Sequence, residues 1–202
     1  MKSDVINHYD SLIDDNNDPV FDPQPLKEYM DKWDGKAFLD ALALDGTKSV
    51  LEIGVGTGRL ALKVAPQCKE YFGIDISPKT IQRAKSNLQE LDNVTLLLGD
   101  IESYSFDRGF DVVYSSLTFM HIKNKKGVID KISHLLTQGG RFVLSVDKSQ
   151  NTVLEYGCRK ITIYPDSVEN VERCVSHSGM SIIEKTETNF AHIFVIMKNT
   201  RV

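Results

Sequence analysis

Three alternate glycines form the first candidate binding site in the chain. The predicted strand 49–54 ends at Gly54, Gly56 and Gly58 follow at once, and a helical pattern of apolar residues begins at Leu60. Glycine suits such a turn because it adopts φ > 0 and lets a ligand lie against bare backbone. The helix N-terminus behind the turn offers unpaired N–H groups to a polar or anionic ligand. The spacing therefore predicts a nucleotide-type binding site.

Two carboxylates accompany this turn. Glu52 lies inside the predicted strand, where burial of a charge is costly unless something pairs with it. We expect a cation in the ligand, or an amine reached through water, to pair with it. Asp75 ends the next predicted strand, which is where a nucleotide-type site requires an acid. A dinucleotide site would have glycine at position 59, and the bulky Arg59 found there argues against NAD.

Strands and helices that can position these residues alternate after Lys48. Strands are predicted at 49–54, 70–75, 94–98, 110–115 and 140–146, and helices at 58–66, 78–91 and 124–137. Ser77 and Pro78 open the second helix, and Gly139 with Gly140 ends the third. The last two strands are nearly continuous apolar runs, which is typical of a parallel sheet covered on both faces. Right-handed crossovers then predict an open, doubly wound α/β sheet.

The flanking segments have weaker patterns. Residues 1–22 are polar and turn-rich, so they form either a loose arm or a cap that orders over a ligand. From Pro25 a helical pattern predicts one helix broken near Gly35, or two short helices. Segment 160–164 is a candidate extra strand. Asp166 with Glu169 forms a capping box for a helix at 167–177, and the runs 181–188 and 192–197 predict an antiparallel hairpin at the sheet edge.

Charge and cysteine content narrow the functional classes. The net charge is −4, and residues 1–34 carry nine acids against three bases, which leaves the remainder at about +2. This balance argues against a nucleic-acid surface, which needs a basic face. The three cysteines, Cys68, Cys158 and Cys174, form no C-x-x-C pair and are expected to be thiols in a reducing compartment. With no signal-like or membrane-spanning apolar run, we expect a cytoplasmic protein.

Five segments in order carry a family resemblance. They are 52–58 (EIGVGTG), 73–75 (GID), 99–101 (GDI), 110–117 (FDVVYSSL) and 135–142 (LLTQGGRF). Together they resemble the motifs of class I, Rossmann-like S-adenosylmethionine-dependent methyltransferases of the small-molecule type. The resemblance covers about residues 48–147, and the final helix and hairpin fit the same fold. One departure is Gln138, where members often have proline before the Gly-Gly pair.

The resemblance implies a fold, a cofactor and a site. The fold is a mostly parallel seven-stranded sheet with helices on both faces and an antiparallel last strand, at residues 46–202 behind an N-terminal helical arm at 1–45. The cofactor is S-adenosyl-L-methionine and the product S-adenosyl-L-homocysteine, with the ribose hydroxyls and the adenine each met by an acidic side chain. The implied cofactor-binding residues are Glu52, Gly54, Gly56, Gly58, Asp75, Ile76, Asp100, Ile101, Ser115 and Ser116. No metal is expected.

Methyl transfer from a sulfonium needs mainly proximity and orientation, worth roughly 7–11 kcal/mol of barrier. A base is needed only when the acceptor must lose a proton, and His121, just after the fourth motif, is the candidate catalytic residue. The motifs of nucleic-acid amino-methylating, cytosine C5 and protein arginine enzymes are absent from the sequence. We therefore expect transfer to an O, N or C atom of a small-molecule acceptor, by a monomer or homodimer that binds neither membrane nor nucleic acid.

Two alternatives remain open. One is methyl transfer to RNA or to a protein, with the acidic arm contacting a basic partner and the Lys-rich run 123–126 as the only basic candidate. The other is a non-catalytic S-adenosylmethionine-binding protein, which would bind the cofactor and turn over no acceptor.

Overall fold

A seven-stranded sheet organises the chain. The computed structural model describes residues 2–157 and 159–199. The strands are β1 (Ser49–Ile53), β2 (Glu70–Asp75), β3 (Val94–Leu98), β4 (Phe110–Ser116), β5 (Leu136–Asp147), β6 (Val153–Tyr156), β7 (Arg159–Thr162), β8 (Met180–Glu187) and β9 (Ala191–Lys198). The large sheet has the order β3-β2-β1-β4-β5-β9-β8, and β6 pairs with β7 in a separate hairpin. β1 to β5 are parallel, and β9 is antiparallel to both its neighbours.

Helices cover both faces of this sheet. They are α1 (Lys2–Asp14), α2 (Gln24–Asp34), α3 (Lys36–Ala41), α4 (Ala61–Val64), α5 (Pro78–Asn87), α6 (Lys125–Leu135) and α7 (Val168–Ser176). Alternate side chains of β1 separate two apolar cores, with Leu51 in one and Val50 in the other. The first core holds α6 and α7, and the second holds α3, α4 and α5. The predicted doubly wound fold with a reversed last strand is confirmed.

Capping side chains and a proline explain where α4, α5 and α7 begin or end. The Ser77 side chain accepts a hydrogen bond from the N–H of Thr80 and caps α5, as predicted. α4 is shorter than predicted and passes into a 3₁₀ turn at Ala65–Gln67, since Pro66 cannot donate the helical hydrogen bond. The cap of α7 is Ser167, whose side chain accepts from the N–H of Asn170, so the capping box based on Asp166 was wrong.

The Gly139–Gly140 pair differs from the prediction. β5 begins at Leu136, directly after α6, and runs through both glycines, which therefore do not end the helix. The pairing of β4 with β5 shifts register between Phe110 and Val112. A Cβ at Gly140 would lie 3.0 Å from the carbonyl oxygen of Thr137, so this irregular stretch needs a residue without a side chain.

The N-terminal region is more regular than expected. Residues 2–14 form the helix α1 in place of a turn-rich arm, and this helix packs against α5 and β7. α2 and α3 are two short helices separated at Gly35, as the sequence allowed. Cys68 and Cys174 are buried free thiols, while Cys158 lies outside the described residues. None of the helices in the described part of the chain has the length and apolar character that a bilayer crossing requires.

Candidate functional site

The strand ends around β1 open into one cavity of about 280 Å³. In a doubly wound sheet, ligands bind at the carboxyl ends of the strands where the strand order reverses, and this cavity lies there. The loops after the strands contribute residues within 52–60, 74–76, 99–102 and 116–122. The N-terminal region completes the wall with Val5, Tyr9, Pro19 and Met30.

The glycine turn has one crowded face and one open face. Gly54 has φ of 80°, and a Cβ there would lie 2.0 Å from Oγ1 of Thr118, so the turn is closed by a side chain from the loop after β4. Gly56 has φ of 55°, and a Cβ there would meet no atom within 4 Å. Gly56 borders the cavity, so its bare backbone faces space that a ligand can fill.

Asp75 holds the turn in place as well as facing the cavity. Its Oδ2 accepts from the N–H of Gly56 at 3.0 Å and its Oδ1 accepts from the N–H of Ser77 at 2.9 Å. Burial raises the pKa of Asp75, and these backbone hydrogen bonds oppose the rise. The acid that the second motif predicts for a ribose therefore also fixes the glycine turn.

Glu52 has its partners inside the protein. Its Oε2 accepts from the hydroxyl of Tyr114 at 2.7 Å and from the hydroxyl of Tyr71. Burial raises the pKa of Glu52 to about 8, and the two phenols oppose the rise. The expectation that a ligand cation or amine pairs with Glu52 is therefore not needed to explain its burial.

Arg59 and Asp34 join the N-terminal region to the glycine turn. Arg59 Nη1 donates to Asp34 Oδ1 at 2.9 Å and Nη2 donates to Oδ2 at 2.5 Å. Ser116 Oγ also donates to Asp34 Oδ2, at 2.7 Å. The Asp34 side chain is fully buried, and such a bidentate pair fixes both position and orientation. The residue that argued against NAD thus attaches α2 to the site.

His121 contacts the arm helix. Its Nε2 shares a hydrogen bond of 2.8 Å with the Tyr9 hydroxyl, and both rings border the cavity. Burial lowers the pKa of His121 to about 4, so the ring is neutral near pH 7. Its Nδ1 is buried without a hydrogen-bond partner among the described residues.

Polar contacts hold α1 and the turn after it over the cavity. Ser77 Oγ donates to Asp10 at 2.7 Å, and Lys79 pairs with Asp14 at 2.6 Å. On the other side, Arg159 of the β6–β7 hairpin pairs with Asp15 at 2.7 Å. The acidic arm thus docks on basic and hydroxyl groups of the same chain.

A second cavity, also of about 280 Å³, adjoins the first. Met30, Leu117 and Thr118 border both cavities. Leu117 has φ of 54°, a left-handed conformation that is uncommon for residues other than glycine. The other described residues of this second wall come from α2, the loop after β4, the end of β5 and the segment 149–166.

Nine of the eleven residues predicted for the site border the first cavity. They are Glu52, Gly54, Gly56, Asp75, Ile76, Asp100, Ile101, Ser116 and His121. Gly58 does not border it, and a Cβ there would lie 2.9 Å from the Leu88 side chain. Ser115 does not either, since its buried hydroxyl donates to the carbonyl oxygen of Ile53. Within residues 2–157 and 159–199, no group of three or more metal-binding side chains occurs.

Sequence reasoning missed the residues that join distant segments. Asp34 was part of an acidic stretch and was not identified as a buried partner of Arg59. Asp166 was assigned to a helix cap, yet it borders the second cavity. The missed signal for Asp34 was its place in the helical apolar stripe of α2, directly after Trp33.

Comparison with known proteins gives a family match. The sequence model of a family described as "Methyltransferase domain" matches residues 44–192. An uncharacterized methyltransferase of Staphylococcus carnosus is 27% identical over 207 aligned positions, which cover 94% of each chain. The malonyl-[acyl-carrier protein] O-methyltransferase 2 of Ilyobacter polytropus is 34% identical over 100 residues, 48% of this chain and only 38% of that enzyme's length.

A solved structure shares the fold over nearly the whole chain. The magnesium protoporphyrin IX methyltransferase ChlM of Synechocystis PCC 6803, determined with bound SAM, superposes with a TM-score of 0.76 at 17% identity. The superposition covers 98% of this chain and 97% of that one, so the helical region before β1 is included.

Proposed function

The chain belongs to the methyltransferase domain family, and from this premise we propose that it transfers a methyl group from S-adenosylmethionine to a small-molecule acceptor bound in the second cavity. One observation carries this proposal: the two cavities meet at Met30, Leu117 and Thr118, at the carboxyl edge of the sheet. A donor and an acceptor bound on either side of this junction would be held in the proximity that a displacement requires.

The residues around the first cavity suit the cofactor. Open space faces the Gly56 backbone, the carboxylates of Asp75 and Asp100 offer acceptors for hydroxyl and amino groups, and Ile76 and Ile101 offer apolar contact. When bound, S-adenosylmethionine supplies a methyl group that its sulfonium centre has already activated. We assign cofactor binding to the eight bordering residues among the ten predicted, and give Gly58 and Ser115 a supporting role.

His121 borders the first cavity, and it is our candidate for taking a proton from an acceptor group that reaches past the junction at Leu117 and Thr118. Because burial keeps it neutral near pH 7, its ring can take a proton there, but a pKa of about 4 makes it a weak base. This suits an acceptor atom that becomes acidic only as the new bond forms, as an amine nitrogen does. Tyr9 orients the ring through its hydrogen bond with Nε2. With the ring hydrogen on Nε2 and donated to the Tyr9 oxygen, Nδ1 is the atom that takes the proton.

The enclosed shape of the site favours a small acceptor over RNA or a protein segment. α1 closes one side of the first cavity, and the β6–β7 hairpin is tied to the same region through Arg159–Asp15 and through a hydrogen bond from Asn17 to the hydroxyl of Tyr156. We further propose that residues 1–45 act as a cap on the methyltransferase domain 46–202, and that the protein is cytoplasmic and works as a monomer or homodimer.

Calorimetric titration with S-adenosylhomocysteine tests the proposal. We expect binding by the natural chain and an affinity at least about 100-fold lower in Gly56→Ala, because the new methyl group fills cofactor space. Gly46→Ala is the matched control, since Gly46 also has positive φ, at 75°, and open space at its Cβ, but does not border the cavity. Equal affinities in the two variants, or no binding by the folded natural chain, would overturn the assignment.

A further inference from the structure

The second cavity contains a buried carboxylate with one oxygen unused. Asp166 is 5% exposed, and its Oδ2 accepts from Lys125 Nζ at 2.7 Å. Its Oδ1 is buried and has no partner at hydrogen-bonding geometry among the described residues. Burial raises the pKa of Asp166, and Lys125 and the nearby Asn170 side chain oppose the rise. A buried acceptor without a donor is costly and rare in proteins, so this position calls for one.

The other carboxylate that borders the cavity, that of Asp147, does not require a hydrogen-bond donor from a ligand. Asp147 Oδ2 accepts from Trp33 Nε1 at 3.0 Å, and its Oδ1 accepts from the N–H of Ser149 at 2.5 Å. Both of its oxygens are therefore engaged within the protein. Of the two acids that border the cavity, only Asp166 has an oxygen without a partner in the described structure.

The rest of the wall is mainly apolar and carries no cation. Ten of its described residues are apolar, among them Met30, Trp33, Phe119, Leu154 and Ile163. No Lys or Arg occurs among the described lining residues, and the Lys125 ammonium already donates to Asp166 and to the carbonyl oxygen of Phe119. An anionic ligand would lose its hydration here without gaining a positive partner.

We propose that the second cavity binds an acceptor with an apolar body and an amino or hydroxyl group, and that Asp166 Oδ1 accepts a hydrogen bond from that group. Carboxylate and phosphate compounds are excluded by the same wall. This inference rests on the proposed function in naming the ligand a methyl acceptor, whereas the ligand's chemistry rests on the cavity alone.

Three probes with one apolar body test the chemistry: phenylpropylamine, phenylpropanol and phenylpropanoic acid. Trp33 is the only tryptophan in the chain and borders the cavity, so quenching of its fluorescence reports binding there. Each probe is titrated into the natural chain with and without saturating S-adenosylhomocysteine. We expect the amine and the alcohol to bind at least about tenfold more tightly than the acid. An acid that binds as tightly as the amine, or a failure of both amine and alcohol to bind, would overturn the proposal.

The substitution Asp166→Asn sharpens the test. Lys125 Nζ will hold the amide oxygen in the place of Oδ2, which puts the NH₂ group where Oδ1 was. The ammonium of the amine probe can only donate, so its affinity should fall about tenfold, while the affinity of the acid should rise. Asp147→Asn removes the same charge from the same wall, and we expect it to keep the preference for the amine.

The outcomes separate the two proposals. If S-adenosylhomocysteine binds but the order of the probes is reversed or absent, only the acceptor chemistry is wrong. If the order holds but S-adenosylhomocysteine does not bind, the cavity chemistry stands and the proposed function is wrong. Should Asp166→Asn fail to fold, judged by circular dichroism, the probe series on the natural chain decides alone.

Discussion

The two adjoining cavities are built in different ways. The first is made by short turns at the strand ends, where backbone and side chain lie close in sequence, as in the hydrogen bond from Gly56 to Asp75 across 19 positions. The second is assembled from distant segments, as in the hydrogen bond from Trp33 to Asp147 across 114 positions. Turn geometry, completed by α1, therefore shapes the cofactor side, whereas the packing of α2 and the hairpin shapes the acceptor side.

The ion pair between Asp34 and Arg59 is the strongest link between these two sides. Asp34→Ala leaves Arg59 largely buried without its partner, so we expect the free energy of unfolding to fall by about 3–5 kcal/mol in denaturant titrations. Asp31→Ala is the control on the same helix, because its pair with Lys63 is about 40% exposed on both sides and should contribute under about 1 kcal/mol. Similar losses in the two variants would show that α2 is not anchored through Asp34.

The Glu52 cluster makes the cofactor side sensitive to pH. The pKa of Glu52 is about 8 in the folded protein against 4.5 as its reference, so its contribution to stability is full below 4.5 and is lost as pH rises toward 8. The unfolding free energy of the natural chain, minus that of Glu52→Gln, should fall by about 1.4 kcal/mol per pH unit in this window. A flat difference for Glu52→Gln would contradict the assignment of a buried, protonated carboxyl.

The hydrogen bond between Tyr9 and His121 holds the arm over the first cavity. Tyr9→Phe leaves His121 Nε2 without its partner in a largely buried place, so α1 should open more easily by about 1–2 kcal/mol in amide hydrogen exchange. Tyr156→Phe removes an exposed hydroxyl contact to Asn17 and should change opening by under about 0.5 kcal/mol. If both variants exchange like the natural chain, the arm does not depend on the site for its position.

The smallest effect on stability is expected at the exposed ion pair that joins Lys79 of α5 to Asp14 of α1. Lys79→Gln removes a pair with Asp14 in which both side chains are about half exposed, so solvent screens the pair and the loss in stability should be smaller than that of Ser77→Ala. Ser77→Ala, at a buried position two residues earlier, removes the cap of α5 and the contact to Asp10, and should cost about 1 kcal/mol in thermal unfolding. If Lys79→Gln lowers stability more than Ser77→Ala does, exposed charges rather than buried hydroxyl contacts hold α1 against α5.

The same contrast explains what the sequence could predict. Periodicity and turn residues identified the sheet, its order of elements and the glycine turn, because these signals are local. The partner of Glu52 was missed since Tyr71 and Tyr114 come from two other strands, and only the sheet order makes them neighbours. The helix at residues 2–14 was missed since its apolar residues, which include Val5, Tyr9 and Leu12, are few among polar ones, and the helix depends on docking to α5 and β7. Asp166 was assigned to a helix cap from its spacing to Glu169. Its hydrogen-bond partner is instead Lys125, which lies 41 positions away in the sequence.

Leu117 lies at the junction of the two cavities. Its left-handed backbone conformation costs stability, while its side chain maintains the shape of the wall between them. Glycine would adopt φ of 54° without the strain that a branched side chain meets there, so Leu117→Gly would gain resistance to heat. The same change would remove a side chain from the wall between donor and acceptor and let both ligands shift. Laboratory evolution for thermal tolerance alone would therefore drive this position toward glycine, while selection for turnover would keep a large apolar residue.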